Sequence, residues 1–148
     1  EKLVQLIIEF ARRHKNIDEE LFVKRLLLLL PALKKRAKNL KEMCDDALFL
    51  VIPPVYPIKD KKAASCLGPS SIELLRSLHL TLTEIEDWDF KRMETCVRSF
   101  ADAHEVKLAD VARPLRVALT GSLASPNIFE VVVALGREEV QSRLTNVQ

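Results

Sequence analysis

Arginine side chains at two places in this sequence have the chemistry to recognise a nucleobase or a phosphate, because a guanidinium can donate two parallel hydrogen bonds. Arg116 lies between Pro114 and Gly121, and Thr120 follows it on the same helical face. We expect Pro114 to open a helical turn and Gly121 to end it. Such a turn is short and stiff, and it would present an arginine beside a hydroxyl group.

Arg36 is the second candidate, on a helix that is predicted to begin at Pro31. With about 100° between successive residues, Leu33 and Cys44 belong to an apolar face, and Arg36 lies about 50° from its centre. An arginine at this flank rests its stem on the rim of the core and directs its guanidinium in few directions. The sequence leaves the alternative open that Arg36 only reaches solvent or forms a salt bridge.

Catalytic and metal-binding chemistry has little support in the sequence. The three histidines, His14, His79 and His104, have no partner at helical spacing, and a zinc site needs three or four converging ligands. The acidic cluster between Glu84 and Asp89 is expected to cap and charge the start of a helix. Neither a glycine-rich phosphate loop nor a Gly-x-Ser-x-Gly motif occurs. We therefore expect no catalytic residues and no metal site in this chain.

The composition predicts an all-α protein. The chain has 148 residues, of which 48% are apolar, 30% are charged and only three are glycine. Leu, Ala, Glu, Lys and Arg favour helices, and the scarcity of glycine disfavours a turn-rich β-sandwich. The three cysteines are odd in number and lack Cys-x-x-Cys spacing, so we expect reduced thiols and a cytoplasmic protein. No apolar run reaches the roughly 18 residues that span a bilayer.

Positive charge is concentrated in the first part of the chain. Residues 1–62 contain 14 Lys and Arg against 9 Asp and Glu, although the net charge of the whole chain is only +2. This distribution is compatible with a basic surface for a polyanion. A solvated helix face is the simpler explanation of the charge taken alone.

Helical periodicity and turn residues divide the chain into two predicted helical subdomains, residues 1–81 and 82–148. A proline-rich linker at residues 53–70 contains four of the seven prolines. Predicted helices cover residues 3–14, 19–29, 31–51, 70 onward, 89–104, 114–120, 126–135 and 137–144.

Local capping signals predict several of the helix starts. Ser70 opens a capping box at the start of one helix. Asp89 is predicted to begin the next, with Trp88 packing onto that same helix. Ser125 is predicted as an N-cap that is followed by Pro126 at the first helical position.

The C-terminal third combines residue types at fixed spacing that resemble a known family. These residues are Pro114-Leu115-Arg116-Val117-Ala118-Leu119-Thr120-Gly121, Ser125-Pro126, Phe129-Glu130 and Leu135-Gly136. They are similar to the C-terminal anticodon-binding region of bacterial-type glutamyl-tRNA synthetases. The segments 33–43 and 88–100 also fit, so the resemblance extends from about residue 18 to residue 144. It implies an all-α anticodon-binding domain, an α-helical cage made of two packed helical subdomains.

The resemblance implies that the parent is a class I aminoacyl-tRNA ligase, which joins glutamate to its tRNA with ATP and Mg²⁺. The His-Ile-Gly-His and Lys-Met-Ser-Lys-Ser signatures of the family's catalytic domain do not occur here. We therefore expect the anticodon-binding part alone, without a cofactor of its own and next to the catalytic domain of the parent. The expected partner is glutamate tRNA, tRNA(Glu), with neither DNA nor a membrane.

The same resemblance implies roles for individual residues. The arginine that matches Arg116 contacts anticodon bases, and the one that matches Arg36 reads the third anticodon letter, which separates glutamate from glutamine tRNAs. Thr120 and Ser125 lie in the matching stretch and are expected to line the same pocket. Arg113 departs from the family, which more often has glutamine at this position, and adds a donor near the anticodon.

Other functions compete with this interpretation. A helical protein-interaction or scaffold domain without an RNA partner is the alternative from another class. A small enzyme in its own right is a third hypothesis, which the absence of a catalytic constellation disfavours. Within the leading hypothesis, the parent charges either tRNA(Glu) alone or tRNA(Gln) as well, and Arg36 favours strict selection.

Overall fold

Seven α-helices dominate the part of the chain that the computed structural model describes, and no strand occurs in that part, which confirms the all-α prediction. The structure describes residues 5, 6, 8, 9, 12, 13, 18–36, 38, 39, 43, 47–56, 58–123 and 126–147. For Arg36 it describes the backbone but not the side chain. The helices are α1 (Glu19–Arg36), α2 (Lys61–Ser65), α3 (Pro69–Thr83), α4 (Phe90–Ala103), α5 (Leu108–Thr120), α6 (Ile128–Leu135) and α7 (Arg137–Val147).

Helices α5 and α6 lie at the centre of the packing. Six of the eight residues of α6 are buried, which is typical of a helix that is covered on all sides. α6 contacts α1, α4 and α7, and α5 contacts α3, α4 and α7. The short, strongly apolar α6 is therefore enclosed by longer amphipathic helices.

The predicted boundary between subdomains, after residue 81, falls in the last turn of α3. Helices on both sides of it contribute to one cluster of buried apolar side chains. α1 packs on α6 across this boundary, and α3 packs on α5 and α7. The division into residues 1–81 and 82–148 stays a prediction, and the two parts share a hydrophobic core.

The prediction of two helices separated at Leu30 is wrong, since α1 passes through Pro31 without interruption. A proline lacks the amide hydrogen that would bond the carbonyl of Leu27. Pro31 is exposed and Leu27 is 56% exposed, so water can reach the freed carbonyl. The predicted continuation to Val51 is also wrong, because α1 ends at Arg36 and residues 48–50 form a 3-10 turn.

Pro114 does not open a helix, because it lies inside α5, which begins at Leu108. The start is fixed by Asp110, whose Oδ2 accepts from the amide of the N-cap residue Lys107 at 3.1 Å. Asp110, whose carbonyl loses its partner at Pro114, is exposed to water. Burial of Pro114 itself with its apolar neighbours then offsets the cost of an interior proline.

Other local predictions divide into confirmed and wrong ones. Asp89 caps α4, and its carboxylate accepts from the amide of Arg92 at 2.7 Å, as predicted. The capping box at Ser70 is absent because α3 begins one residue earlier, where Pro69 takes the first helical position after Gly68. α6 is capped by Asn127, whose side chain accepts from the amide of Phe129 at 2.9 Å, and not by Ser125.

Two further predictions concern the ends of the described chain and its linker. The helix predicted over residues 3–14 lies largely outside the described residues, although positions 5, 6, 8, 9 and 12 are helical. The proline-rich linker contains the short helix α2, which Asp60 caps by accepting from the amide of Ala63 at 3.3 Å.

A buried ion network joins α1 to α7. Glu139 accepts from Nε of Arg143 at 2.8 Å and from Nη2 of Arg25 at 3.3 Å. Both arginine side chains are almost fully buried, Arg143 at 1% exposure and Arg25 at 9%. Arg25 also donates to the carbonyl of Leu50 in the 3-10 turn. One carboxylate therefore balances two buried positive charges.

Candidate nucleic-acid interface

Three of the five predicted site residues lie on α5, between its middle and its carboxyl end. Arg113 is exposed, whereas Arg116 and Thr120 are half-buried. Residues three or four positions apart on a helix are neighbours, so the three side chains follow one another along one side of α5. The opposite side packs into the core through Val111, Leu115, Ala118 and Leu119. The helix therefore presents two arginines from a buried, fixed support.

The hydroxyl group of Thr120 forms hydrogen bonds with backbone groups at the carboxyl end of α5. Its oxygen lies 2.8 Å from the carbonyl oxygen of Arg116 and 3.0 Å from that of Ser122, and it accepts from the amide of Ser122 at 3.2 Å. The one hydroxyl hydrogen is therefore engaged by these carbonyls, and one of the two lone pairs of the oxygen is engaged by the amide. Gly121 follows in the left-handed conformation with φ of 76°, and its amide donates to the carbonyl of Val117, as the sequence predicts.

The proline-rich linker lies against this helix end. An added Cβ at Gly121 would stand 3.3 Å from Cβ of Pro54. Between the 3-10 turn, the linker and the end of α5 is an open groove of about 430 Å³, to which Thr120, Gly121 and Lys59 contribute. Lys59, a basic residue of the linker, therefore borders the same groove as the end of the helix that carries Arg116.

Replacement of Gly121 by alanine should lower the free energy of unfolding by about 1–2 kcal/mol, because a side chain disfavours the left-handed conformation and Cβ would press on Pro54. Urea unfolding followed by circular dichroism measures the change. Gly68→Ala is the matched control, since Gly68 has φ of −67° and nothing within 4 Å of an added Cβ. Equal stability of the two variants would show that a side chain at position 121 causes no strain.

The other two predicted site residues are not placed by the structure. Arg36 is the last residue of α1, and its side chain lies outside the described part. Ser125 lies outside the described residues as well, although the neighbouring Pro126 is buried. The role of Arg36 toward the third anticodon letter and the place of Ser125 in one pocket with Thr120 stay predictions.

Aromatic residues fix α6 against the start of α4. Phe129 packs edge-on against Phe90, with ring centroids 5.9 Å apart. The indole of Trp88 donates to the carbonyl of Val132 in α6 at 2.9 Å. The packing of Trp88 onto its own helix stays a prediction. Arg137 lies over the indole ring at 5.2 Å from the centroid. The motif residue Phe129 thus has a packing role.

The sequence analysis missed two residues from other segments, Tyr56 and Arg143, whose side chains contact the end of α5. The hydroxyl of Tyr56 donates to the carbonyl of Ala118 at 3.0 Å, and Nη1 of Arg143 donates to that of Leu119 at 2.6 Å. The sequence does contain a pattern that indicates burial of Arg143, because its position lies on the same helical face as the buried Val140, Leu144 and Val147. No local pattern points to Tyr56, which is 62 residues from its partner.

Burial and charge shift the acidity of the groups near this helix end. Burial raises the pKa of Tyr56, against the effect of nearby Arg143, so the phenol remains a donor at neutral pH. Burial also tends to raise the pKa of Glu139, but hydrogen bonds and charges of Arg143 and Arg25 outweigh it, and the pKa is lowered. Burial lowers the pKa of Arg143, which Glu139 opposes, and an arginine keeps its charge at neutral pH.

The described part of the chain offers little chemistry beyond these groups. No group of three His, Cys, Asp or Glu side chains is arranged there to hold a metal ion. Cys66 and Cys96 are free thiols, and burial raises the pKa of Cys96, which lowers its reactivity. None of the described helices combines the length and the apolar character that crossing a membrane requires.

Comparison with known proteins identifies relatives over the whole chain. The profile of the anticodon binding domain family matches residues 2–148. A glutamate–tRNA ligase of Bradyrhizobium sp. strain ORS 278 is 46% identical over 115 residues, which cover 78% of this chain and 24% of that protein. Glutamate–tRNA ligase 2 of Parvibaculum lavamentivorans is 40% identical over 146 residues, which cover 97% of this chain and 29% of that protein.

The fold is shared with solved structures. A glutamate tRNA ligase from Elizabethkingia meningosepticum, crystallised with its amino acid, superimposes with a TM-score of 0.78 over 99% of this chain and 28% of that one. Its sequence identity is 22%, so the likeness concerns the fold. The chain spans between about a quarter and a third of the length of the relatives that it matches.

Proposed function

Because this chain belongs to the anticodon binding domain family, we propose that it binds the anticodon loop of a glutamate tRNA as the C-terminal part of a glutamate–tRNA ligase. The observation that carries the proposal is the family match over residues 2–148. The relatives that match over most of this chain are glutamate–tRNA ligases, which supports the choice of tRNA.

The geometry of α5 supports base recognition. Proteins that read RNA sequence contact unstacked bases in loops, and an anticodon loop offers such bases. Arg116 is half-buried on a helix whose opposite side lies in the core, so its guanidinium has a restricted set of directions. A restricted, planar group that donates two hydrogen bonds suits the edge of a base.

The residue roles in this proposal combine the exposure and chemistry of the residues on α5 with the roles that the family resemblance implies. Arg116 reads an anticodon base, and the exposed Arg113 neutralises a phosphate nearby. Thr120 and Ser125 border the same pocket, Thr120 through its methyl group because its hydroxyl is engaged within the protein. Arg36 reads the third anticodon letter and so favours glutamate over glutamine tRNA.

The parent enzyme in this proposal is a class I aminoacyl-tRNA ligase of the cytoplasm. It would charge tRNA with glutamate by means of ATP and Mg²⁺, which belong to a catalytic domain outside these 148 residues. The described residues supply no cluster of acidic or thiol ligands for a metal ion. In this proposal the contribution of this chain is to select the tRNA, and strict selection against tRNA(Gln) depends on Arg36.

Binding of the 148-residue chain to two RNAs tests the proposal. We expect the anticodon stem–loop of glutamate tRNA to bind about tenfold or more tightly than a copy with a substituted anticodon, at one fixed salt concentration. A helical scaffold domain without an RNA partner would bind neither RNA at moderate salt. Equal binding of both RNAs would leave only attraction to phosphate and would contradict anticodon recognition.

A further inference from the structure

The carboxyl end of α5 is held by side chains from two distant parts of the chain. The last carbonyls of a helix have no partner within the helix. Here the carbonyl of Ala118 accepts from the hydroxyl of Tyr56 at 3.0 Å, and that of Leu119 accepts from Nη1 of Arg143 at 2.6 Å. Tyr56 belongs to the proline-rich linker and Arg143 to α7, so three separate segments meet at this turn.

Arg143 is a rigid support. Its side chain is 1% exposed, so the guanidinium cannot exchange its protein partners for water. Glu139 holds it from the other side through Nε at 2.8 Å and is itself bound to Arg25 of α1. A positive charge at the carboxyl end of a helix is also favoured by the helix dipole. The position of this turn is therefore tied to α1 and α7.

We propose that Tyr56 and Arg143 are positioning residues for anticodon recognition, which fix the direction in which Arg116 presents its guanidinium. This inference rests on the proposed function of Arg116. Arg116 lies two and three residues before the held carbonyls, and its own carbonyl lies 2.8 Å from the hydroxyl of Thr120 in the same turn. Movement of the turn would therefore move the base-reading group.

The two kinds of RNA contact respond differently to such movement. A bidentate hydrogen bond to a base edge depends on direction, whereas attraction to phosphates depends mainly on charge. Release of the turn should therefore lower the preference for the native anticodon and leave binding to a substituted anticodon nearly unchanged. A loss of folded protein would instead reduce binding to both RNAs in proportion.

The test uses Tyr56→Phe, which removes one hydroxyl and keeps the ring. We expect the ratio of affinities for native and substituted anticodon stem–loops to fall about 2- to 10-fold, with binding to the substituted RNA unchanged within about twofold. The control is Thr81→Val, which removes a hydroxyl that lies 3.2 Å from the carbonyl of Ser77 in α3. The control should keep the ratio of the unaltered chain.

A second variant and a second measurement separate positioning from stability. Arg143→Lys keeps the charge, but a lysine cannot donate to the carbonyl of Leu119 and the carboxylate of Glu139 with the geometry of a guanidinium. It should therefore lower the ratio of affinities for native and substituted RNA further than Tyr56→Phe does. If that variant does not fold, hydrogen exchange of the Gly121 amide in Tyr56→Phe reports directly on the turn, and faster exchange is expected.

The outcomes distinguish the inference from the proposed function. If the unaltered chain shows no anticodon preference, the proposed function fails and the positioning role falls with it. If the unaltered chain discriminates and Tyr56→Phe discriminates equally well, anticodon recognition stands and the positioning role is overturned. Faster hydrogen exchange of the Gly121 amide in Tyr56→Phe, together with an unchanged ratio of affinities, would also overturn the positioning role. Tyr56 would then only stabilise the turn.

Discussion

Replacement of Glu139 by alanine is expected to lower the free energy of unfolding by about 3–5 kcal/mol, the range for removing one partner of a buried ion pair. The variant leaves Arg25 and Arg143, at 9% and 1% exposure, without their shared carboxylate. Two buried positive charges then face each other without compensation. Urea unfolding at neutral pH, with circular dichroism as the signal, measures the loss.

Glu138→Ala is the matched control for this prediction. Glu138 is the neighbouring residue in the first turn of α7, carries the same charge and is exposed. Its replacement removes the same interaction with the helix dipole, and we expect a change of at most about 0.5 kcal/mol. Similar losses in the two variants would show that the ion network contributes little beyond the dipole.

The pH dependence of Glu139→Gln adds a second measurement. The pKa of Glu139 is lowered in the folded protein from its usual 4.5, so its stabilising effect is complete above that value. The effect disappears as the pH falls through the lower folded pKa, where the carboxyl group becomes neutral like an amide. The difference in stability between the unaltered chain and Glu139→Gln should therefore shrink below about pH 4.5.

Replacement of Arg116 by alanine is expected to abolish most of the preference for the native anticodon. A side chain that donates two hydrogen bonds to a base is worth about 1–3 kcal/mol of discrimination, which corresponds to about 5- to 150-fold in relative affinity. The measurement is the ratio of affinities for the native and the substituted anticodon stem–loop at one salt concentration. Binding to the substituted RNA should change much less than binding to the native one.

Arg98→Ala is a control with the same change of charge. Arg98 is 57% exposed on α4 and pairs with Glu94 one turn earlier, at 3.5 Å. Its loss should reduce binding to both RNAs by a similar small factor through the general attraction to phosphate. If Arg116→Ala lowers both affinities in the same proportion, Arg116 contacts the backbone of the RNA and not a base.

The sequence by itself determined the helical class and the helix ends that depend on local chemistry. The Asp89 cap and the left-handed Gly121 were correctly predicted, because each needs only the residues of its own turn. The family resemblance located Arg113, Arg116 and Thr120, and the structure places these three on one helix. Their roles toward RNA stay predictions.

The tertiary structure decided where the sequence offers two competing local signals. Pro31 and Pro114 were predicted to begin helices, yet both lie inside helices whose freed carbonyls can reach water. The capping signal of Ser70 gave way to the neighbouring Pro69. Such choices depend on which alternative buries more apolar surface, and that area is set by helices far away in the sequence.

The support of the candidate site also belongs to the tertiary structure alone. Tyr56 and Arg143 lie 62 and 24 residues from the carbonyls that they hold. Glu139 is near Arg143 through helical spacing alone, whereas the carbonyl of Leu119, the other partner that makes the burial of Arg143 tolerable, is brought to it only by packing of α7 on α5. Local patterns identify the residues with suitable chemistry, and long-range packing fixes the direction in which they act.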